Sequence, residues 1–146
     1  MGQAGSCYVL DARVDSTTLH AFLGDGVVVM SFIYSSCSDT NGCPLATHVL
    51  ARLKKRLGES PAGTADIRFI SLSFDPVRDT PEVMRKYGSR FDDEDFDWRF
   101  LTTRGPGDLE PVLESYGQSI VADPAAEDGA PGSISHVLRV YLIDRA

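Results

Sequence analysis

The sequence predicts an α/β sandwich with a partly parallel central sheet. Three observations carry that expectation. Residues 27–34 and 67–74 are short runs of β-branched, aliphatic and aromatic residues, the composition of strands buried on both faces. Each run is followed by a segment with apolar residues at helical spacing. A further apolar run closes the chain at residues 136–144. Read in order, the chain is β–α–β–α–β–α–β after a short N-terminal piece.

The first strand, Val27-Val28-Val29-Met30-Ser31-Phe32-Ile33-Tyr34, stops at Ser35-Ser36-Cys37-Ser38-Asp39-Thr40-Asn41-Gly42, which is loop chemistry. Pro44 fits the first helical position, where a missing N–H costs nothing. Ala46, Val49, Leu50, Leu53 and Leu57 then give the apolar stripe of a helix that Gly58 ends. After the second strand, Thr80 is the expected N-cap of a helix through about Phe91. Residues 98–102 read as a short strand. Residues 108–116 read as a helix, with Pro111 tolerable only in its first turn. Residues 122–133 are rich in Ala, Gly, Pro and acid, and are expected to form a mobile loop near His136. In the last strand His136, Leu138, Val140 and Leu142 share one face.

Length and charge bound the function. The 146 residues make one domain, residues 1–146, with enough chain for a real core. The longest mostly apolar run, residues 26–34, is far below the roughly 20 residues of a membrane span. Residues 1–10 have neither the basic start nor the apolar stretch of a secretory signal. Fourteen basic and 21 acidic residues give a net charge of −7, which argues against a nucleic-acid binder.

Three cysteines are too few for a disulfide scaffold. Cys37 and Cys43 lie close together, and such a pair in a chain of this kind reads as redox or metal chemistry before it reads as a staple. Cys37 follows the end of a core strand, and Cys43 is the expected N-cap of the next helix. A helix N-terminus stabilises a thiolate, which is both a nucleophile and a soft metal ligand. The C-x5-C spacing alone leaves a structural disulfide or two unrelated thiols open. His136 by itself reads as a solvated or core residue, and His20 and His48 read as surface residues. The segment Ser73-Phe74-Asp75-Pro76-Val77-Arg78-Asp79-Thr80-Pro81 reads as a strand end, a turn and a capped helix. Asp75 and Asp79 could cap turns there, with Arg78 paired to either. The same segment follows a strand parallel to the one that leads to Cys37, so Asp75 could accept a hydrogen bond beside a metal or thiolate. Cys7 reads as an incidental thiol; Met1-Gly2 with Ser6 formally fits a myristoylation pattern and carries little weight.

Four stretches together carry a family likeness. They are Ser31-Phe32-Ile33-Tyr34-Ser35-Ser36-Cys37 with Cys43-Pro44; the segment from Ser73 through Pro81 to Glu82; Trp98-Arg99-Phe100-Leu101-Thr102; and Ser135-His136 leading to Tyr141-Leu142-Ile143-Asp144. With them the chain resembles the SCO/SenC family from about residue 27 onward. The resemblance implies a thioredoxin-like α/β/α sandwich with a central mixed sheet. It implies copper, Cu(I) or Cu(II), held by Cys37, Cys43 and His136, with Asp75 in support. It implies help in assembling the binuclear copper site of cytochrome c oxidase, as copper donor or as reductant of that site's cysteines. The implied partners are the oxidase subunit carrying that site, or another copper chaperone. The implied location faces the periplasm or the mitochondrial intermembrane space. Membrane contact would come only through an anchor that this sequence does not contain.

Two features depart from the family pattern. Five residues separate Cys37 from Cys43 where the family usually has three. The sequence stops at Asp144-Arg145-Ala146 where the family continues through another strand and a helix. A domain shortened at its C-terminus is therefore an expectation; a chain complete as it stands would leave a sheet edge uncovered.

Other readings compete. A thiol–disulfide oxidoreductase would use Cys37 and Cys43 without metal. A peroxiredoxin-like peroxidase would need an activating threonine and arginine, with Thr40 and Arg99 or Arg139 the available residues. Zinc prefers four ligands, and three obvious ones are present. A domain that only binds a protein partner needs none of this chemistry.

Overall fold

The computed structural model describes residues 8–11, 14–23, 26–35, 43–60, 66–91, 96–118, 120–122, 134–136 and 139–144. Its elements run β1 (Tyr8–Asp11), β2 (Val14–Thr18), α1 (Leu19–Leu23), β3 (Val27–Ile33), α2 (Cys43–Gly58), β4 (Ile67–Ser73), α3 (Pro81–Gly88), β5 (Trp98–Thr102), α4 (Pro106–Ser115), β6 (Ile120–Ala122), β7 (Ile134–His136) and β8 (Val140–Ile143). Six strands form one mixed sheet in the order β2-β1-β5-β4-β3-β8, and β6 and β7 form a separate pair. Strands β3, β4 and β5 are mutually parallel. β1 joins β5 antiparallel, and β8 joins β3 antiparallel. No described helix is long and apolar enough to cross a membrane.

The inner strands are apolar because both sides of the sheet are covered. Residues paired across strands share a face, so Phe32, Leu72 and Leu101 lie on one side and Ser31, Ser71 and Phe100 on the other. α4 covers the first side, where the rings of Phe32, Tyr116 and Tyr141 meet edge to face. α1 lies on the same side, with Phe22 against the Arg99 guanidinium. α2 and α3 cover the second side, joined by a hydrogen bond between the Thr47 and Tyr87 hydroxyls at 2.9 Å. Under them sits an aromatic layer of Phe69, Phe91, Phe96, Trp98 and Phe100. The buried serines of that side are satisfied in a chain: Trp98 Nε1–H donates to Ser71 Oγ at 3.1 Å, and Ser71 Oγ lies 3.3 Å from Ser31 Oγ.

α3 approaches this layer closely at its last residue. A Cβ added at Gly88 would meet the Phe100 ring at 2.5 Å, and the Tyr87, Phe91 and Trp98 rings pack around Phe100. Gly88→Ala is therefore expected to lose about 1–3 kcal/mol to overpacking. Alanine's helix propensity returns little at a helix terminus. Urea denaturation of the variant checks this, and an unchanged midpoint would contradict the packing described.

On the other side a charged chain runs along the sheet. Arg68 Nε and Arg99 Nε reach Asp97 at 2.6 and 2.7 Å, and Arg99 Nη1 reaches Asp11 at 3.3 Å. Burial alone would raise the Asp97 carboxyl. The hydrogen bond from Arg99, the charge and hydrogen bond of Arg68 and the charge of Arg99 outweigh burial and hold it below its ordinary value. A carboxylate depressed in the folded state stabilises the fold above the ordinary aspartate value of about 3.9 and loses that contribution as pH falls through its own lower value. Stability is thus expected to fall below about pH 4, and Asp97→Asn to make the fall shallower. Urea midpoints of both proteins between pH 6 and pH 2.5 test it; parallel curves would remove Asp97 from the account.

Several expectations need correction. Residues 136–144 are not one strand. β7 ends at His136 in the small pair, and β8 starts anew at Val140 in the main sheet. Leu138 lies outside the described residues. Val140 and Leu142 face outward, the latter 73% exposed, while Tyr141 and Ile143 pack on the core. On α2 the buried row is Ala46, Thr47 and Leu50, and Val49 is 51% exposed. α3 stops at Gly88 instead of Phe91, where Ser89 N–H closes on Arg85 O. α4 starts two residues earlier than expected, which puts Pro111 in its second turn; the carbonyl that loses its partner belongs to the exposed Gly107, where water can serve it. Ala122 belongs to β6, and the rest of the expected mobile loop, residues 123–133, lies outside the described residues. The N-terminal piece holds two strands and a short helix, and β1 extends the main sheet.

Candidate metal centre

β3 and β4 end together, with Ile33 opposite Ser73, and one more bond continues the ladder, from Phe74 N–H to Ile33 O at 3.0 Å. Two segments leave from this end of the sheet. After β3 come Tyr34 and Ser35, two residues short of Cys37. After β4 comes the stretch 74–80 that leads into α3. The rings of Tyr34 and Phe74 pack together at 4.9 Å between centroids.

The second segment is tightly tied. Asp75 is buried, and its Oδ2 accepts from Arg78 Nη1 at 3.1 Å. The Asp75 carbonyl accepts from the N–H groups of Arg78 and Asp79, and its own N–H donates to Ser73 Oγ at 3.0 Å. Thr80 caps α3 as expected, its Oγ1 accepting from Val83 N–H. Asp79 is fully buried. Its carboxylate accepts from the Ser73 hydroxyl at 2.6 Å, from Ser35 N–H at 3.0 Å and from the Ser35 hydroxyl. Ser35, Ser73 and Asp79 were not candidates from sequence. Aspartate in D-P-V-R-D-T-P looks like a local turn cap, and no sequence signal shows that it reaches across to Ser35.

The backbone places the other candidates as follows. Cys43 is the first residue of α2 instead of a cap outside it, with Pro44 second. The first turn of α2 carries no acidic residue, so its N-terminal end keeps its positive character. His136 is the last residue of β7, its Cα opposite Ile120. β8 begins opposite Ser31 and runs antiparallel to β3, so the chain enters it from the end where β3 and β4 finish. Three residues separate His136 from Val140, and four Cα-to-Cα steps keep the two within about 14 Å of each other. Cys37 and Cys7 lie outside the described residues, as does Thr40. Among the described residues no three His, Cys, Asp or Glu side chains gather in a metal-sized cluster. His20 and His48 are exposed, as expected. Of the arginines a peroxidase would recruit, Arg99 is engaged by Asp97 and Asp11, and Arg139 donates to Gly117 O at 2.9 Å.

This frame can be compared with known proteins. The SCO1 protein homolog of Bacillus subtilis is 28% identical over 128 residues, covering 88% of this chain. The chain spans 61% of that relative's length. The structure of Bradyrhizobium japonicum ScoI with copper bound superposes with a TM-score of 0.80 at 26% identity, covering 97% of this chain and 83% of that one. Copper-bound ScoI of Arabidopsis thaliana gives 0.81 at 22% identity over 97% and 81% of the two chains, a likeness of fold. The mixed sheet with helices on both sides is thus the thioredoxin-like sandwich of Sco structures. The SCO1/SenC family model matches residues 4–146, nearly the whole sequence, and on that match the chain belongs to the SCO1/SenC family.

Proposed function

We propose that this is a copper-binding protein that aids assembly of the copper centre of cytochrome c oxidase, with Cys37, Cys43 and His136 as ligands. One observation carries the reading: the family match runs from residue 4 to 146 and includes all three residues. The Bradyrhizobium relative, described with copper bound, supports the choice of metal. The donor set fits it. Two thiolates and an imidazole suit Cu(I), and imidazole also suits Cu(II). Copper is cargo here, so a three-donor site that can release it is chemically apt. Asp75, already paired with Arg78, suits a supporting hydrogen-bond acceptor better than a ligand. The recipient is the oxidase subunit carrying the copper site, or a second copper chaperone, in the periplasm or the intermembrane space.

A second reading has its own support. Cys43 opens a helix of 16 residues, a position that favours the thiolate. Cys37 and Cys43 could then pass two electrons and two protons to a disulfide on the target and become a disulfide themselves. The two roles share the same sulfurs.

An anaerobic titration of the fully reduced protein with Cu(I), against a competing chelator, tests the first reading. One tight equivalent is expected. No binding, together with a measurable Cys37–Cys43 reduction potential, would leave the second reading in its place.

A further inference from the structure

The geometry points to Asp79 as a positioning residue for the cysteine pair: its buried carboxylate fastens Ser35, two residues before Cys37, and so anchors the chain just ahead of the segment that joins Cys37 to Cys43. This rests on the proposed pairing of Cys37 with Cys43.

Asp79 has no exposed surface. A carboxylate in that position is costly unless hydrogen bonds replace its water. Its Oδ2 accepts from Ser35 N–H at 3.0 Å and from the Ser73 hydroxyl at 2.6 Å, and its Oδ1 accepts from the Ser35 hydroxyl. Ser35 is thus held by both its amide and its side chain, just where the β3–β4 ladder ends. Asp79 is itself held from β4. Ser73 Oγ also accepts from Asp75 N–H at 3.0 Å, and Asp79 N–H donates to Asp75 O at 2.9 Å. The restraint on Ser35 therefore comes from the end of the neighbouring strand.

At its far end the segment runs into α2 at Cys43. With the chain anchored at Ser35 and entering α2 at Cys43, fewer conformations are open to the stretch between, which raises the concentration of one sulfur at the other. Releasing Ser35 widens the ensemble that Cys37 samples. The disulfide formed with glutathione disulfide then becomes less favourable. In that reaction two protein thiols give two electrons and two protons to the oxidised glutathione, which leaves as two molecules of the thiol.

Three variants test it. Asp79→Asn keeps the volume but loses the charge, and its single amide oxygen can accept on one side only, so the two charge-assisted bonds to Ser35 are not both kept. Ser35→Ala removes one contact at a half-buried position and tests the same link under a milder perturbation. Ser35→Thr keeps the hydroxyl. The Ser35 amide of Asp79→Asn is expected to exchange with solvent about tenfold faster or more, the weight of a charge-assisted hydrogen bond. The equilibrium constant with glutathione is expected to fall about threefold to tenfold in Asp79→Asn, less in Ser35→Ala, and to return towards wild type in Ser35→Thr. A folded Asp79→Asn with wild-type exchange and a wild-type glutathione equilibrium overturns the inference. If Asp79→Asn does not fold, equal glutathione constants for Ser35→Ala, Ser35→Thr and wild type overturn it instead. A wild-type protein that binds no copper sinks the copper reading alone, because neither readout uses the metal. A wild-type protein in which Cys37 and Cys43 form no disulfide overturns the pairing on which the inference rests.

Discussion

Reduced protein carrying Cys43→Ser is expected to hold Cu(I) roughly a hundredfold or more weakly than wild type, since even residues that only support a metal ligand are worth 10–100-fold. Cys43 matters doubly, because it is a proposed ligand and it starts α2, whose N-terminal end favours the thiolate form. Serine keeps the size and loses the soft, ionisable sulfur. Cys37→Ser is expected to match it. His136→Ala is expected to weaken Cu(II) more than Cu(I), because the two thiolates already satisfy the softer ion. His48→Ala, on the exposed side of α2, is expected to change nothing. Competition titrations at both oxidation states read all four. Wild-type affinity in any of the first three variants would remove that residue from the site.

The largest effect on stability is expected at Phe69. It is fully buried within β4, and its ring packs edge to face on Phe96 at 4.7 Å and on Trp98 at 5.5 Å. Replacing it with alanine removes that burial and leaves a cavity beside the Phe96 and Trp98 rings, whose packing in the aromatic layer resists collapse. A loss of about 3–5 kcal/mol is expected. For a domain of this size that lowers the melting temperature by roughly 10–15 °C. Calorimetry or circular dichroism would measure it, and a loss under about 1 kcal/mol would mean that the aromatic layer repacks far more freely than protein interiors do.

Where the sequence could be read, one pattern had one physical cause. β3, β4 and β5 are mostly buried and mostly apolar on both faces, so each run reads as an inner strand and the expected bounds nearly coincide with the observed ones. Thr80-Pro81 marks the start of α3 because cap and ring each fit only there. Ambiguity arose where apolar residues occupy both faces. α2 carries two rows at helical spacing, Ala46 with Leu50 and Leu45 with Val49, and only the sheet decides which is buried. β8 is apolar at every position, so alternation could not tell Tyr141 and Ile143 from Val140 and Leu142. In the candidate site, residue types and the helix start at Cys43 were legible, but the link from Asp79 to Ser35 was not. It spans 44 positions and depends on two strands ending side by side.

The strand order also has a consequence for how the molecule assembles in time. β3, α2, β4, α3 and β5 are neighbours in sequence and in space, so their pairing closes short stretches of chain. β8 comes last in the chain yet pairs with β3, the first strand of this core, to place Val140 beside Ser31. Closing so long a loop costs entropy before any contact rewards it, so β8 is expected to dock after the parallel core has formed. Pulse-labelled hydrogen exchange during refolding would show it, with Val29 and Ile70 amides protected before that of Leu142; simultaneous protection would refute the order. The stretch leading into β8 carries His136. A newly folding molecule would therefore pass through a stage with Cys43 in place and the imidazole of the proposed site still to arrive, open to oxidation of its thiols before the proposed ligand set is complete.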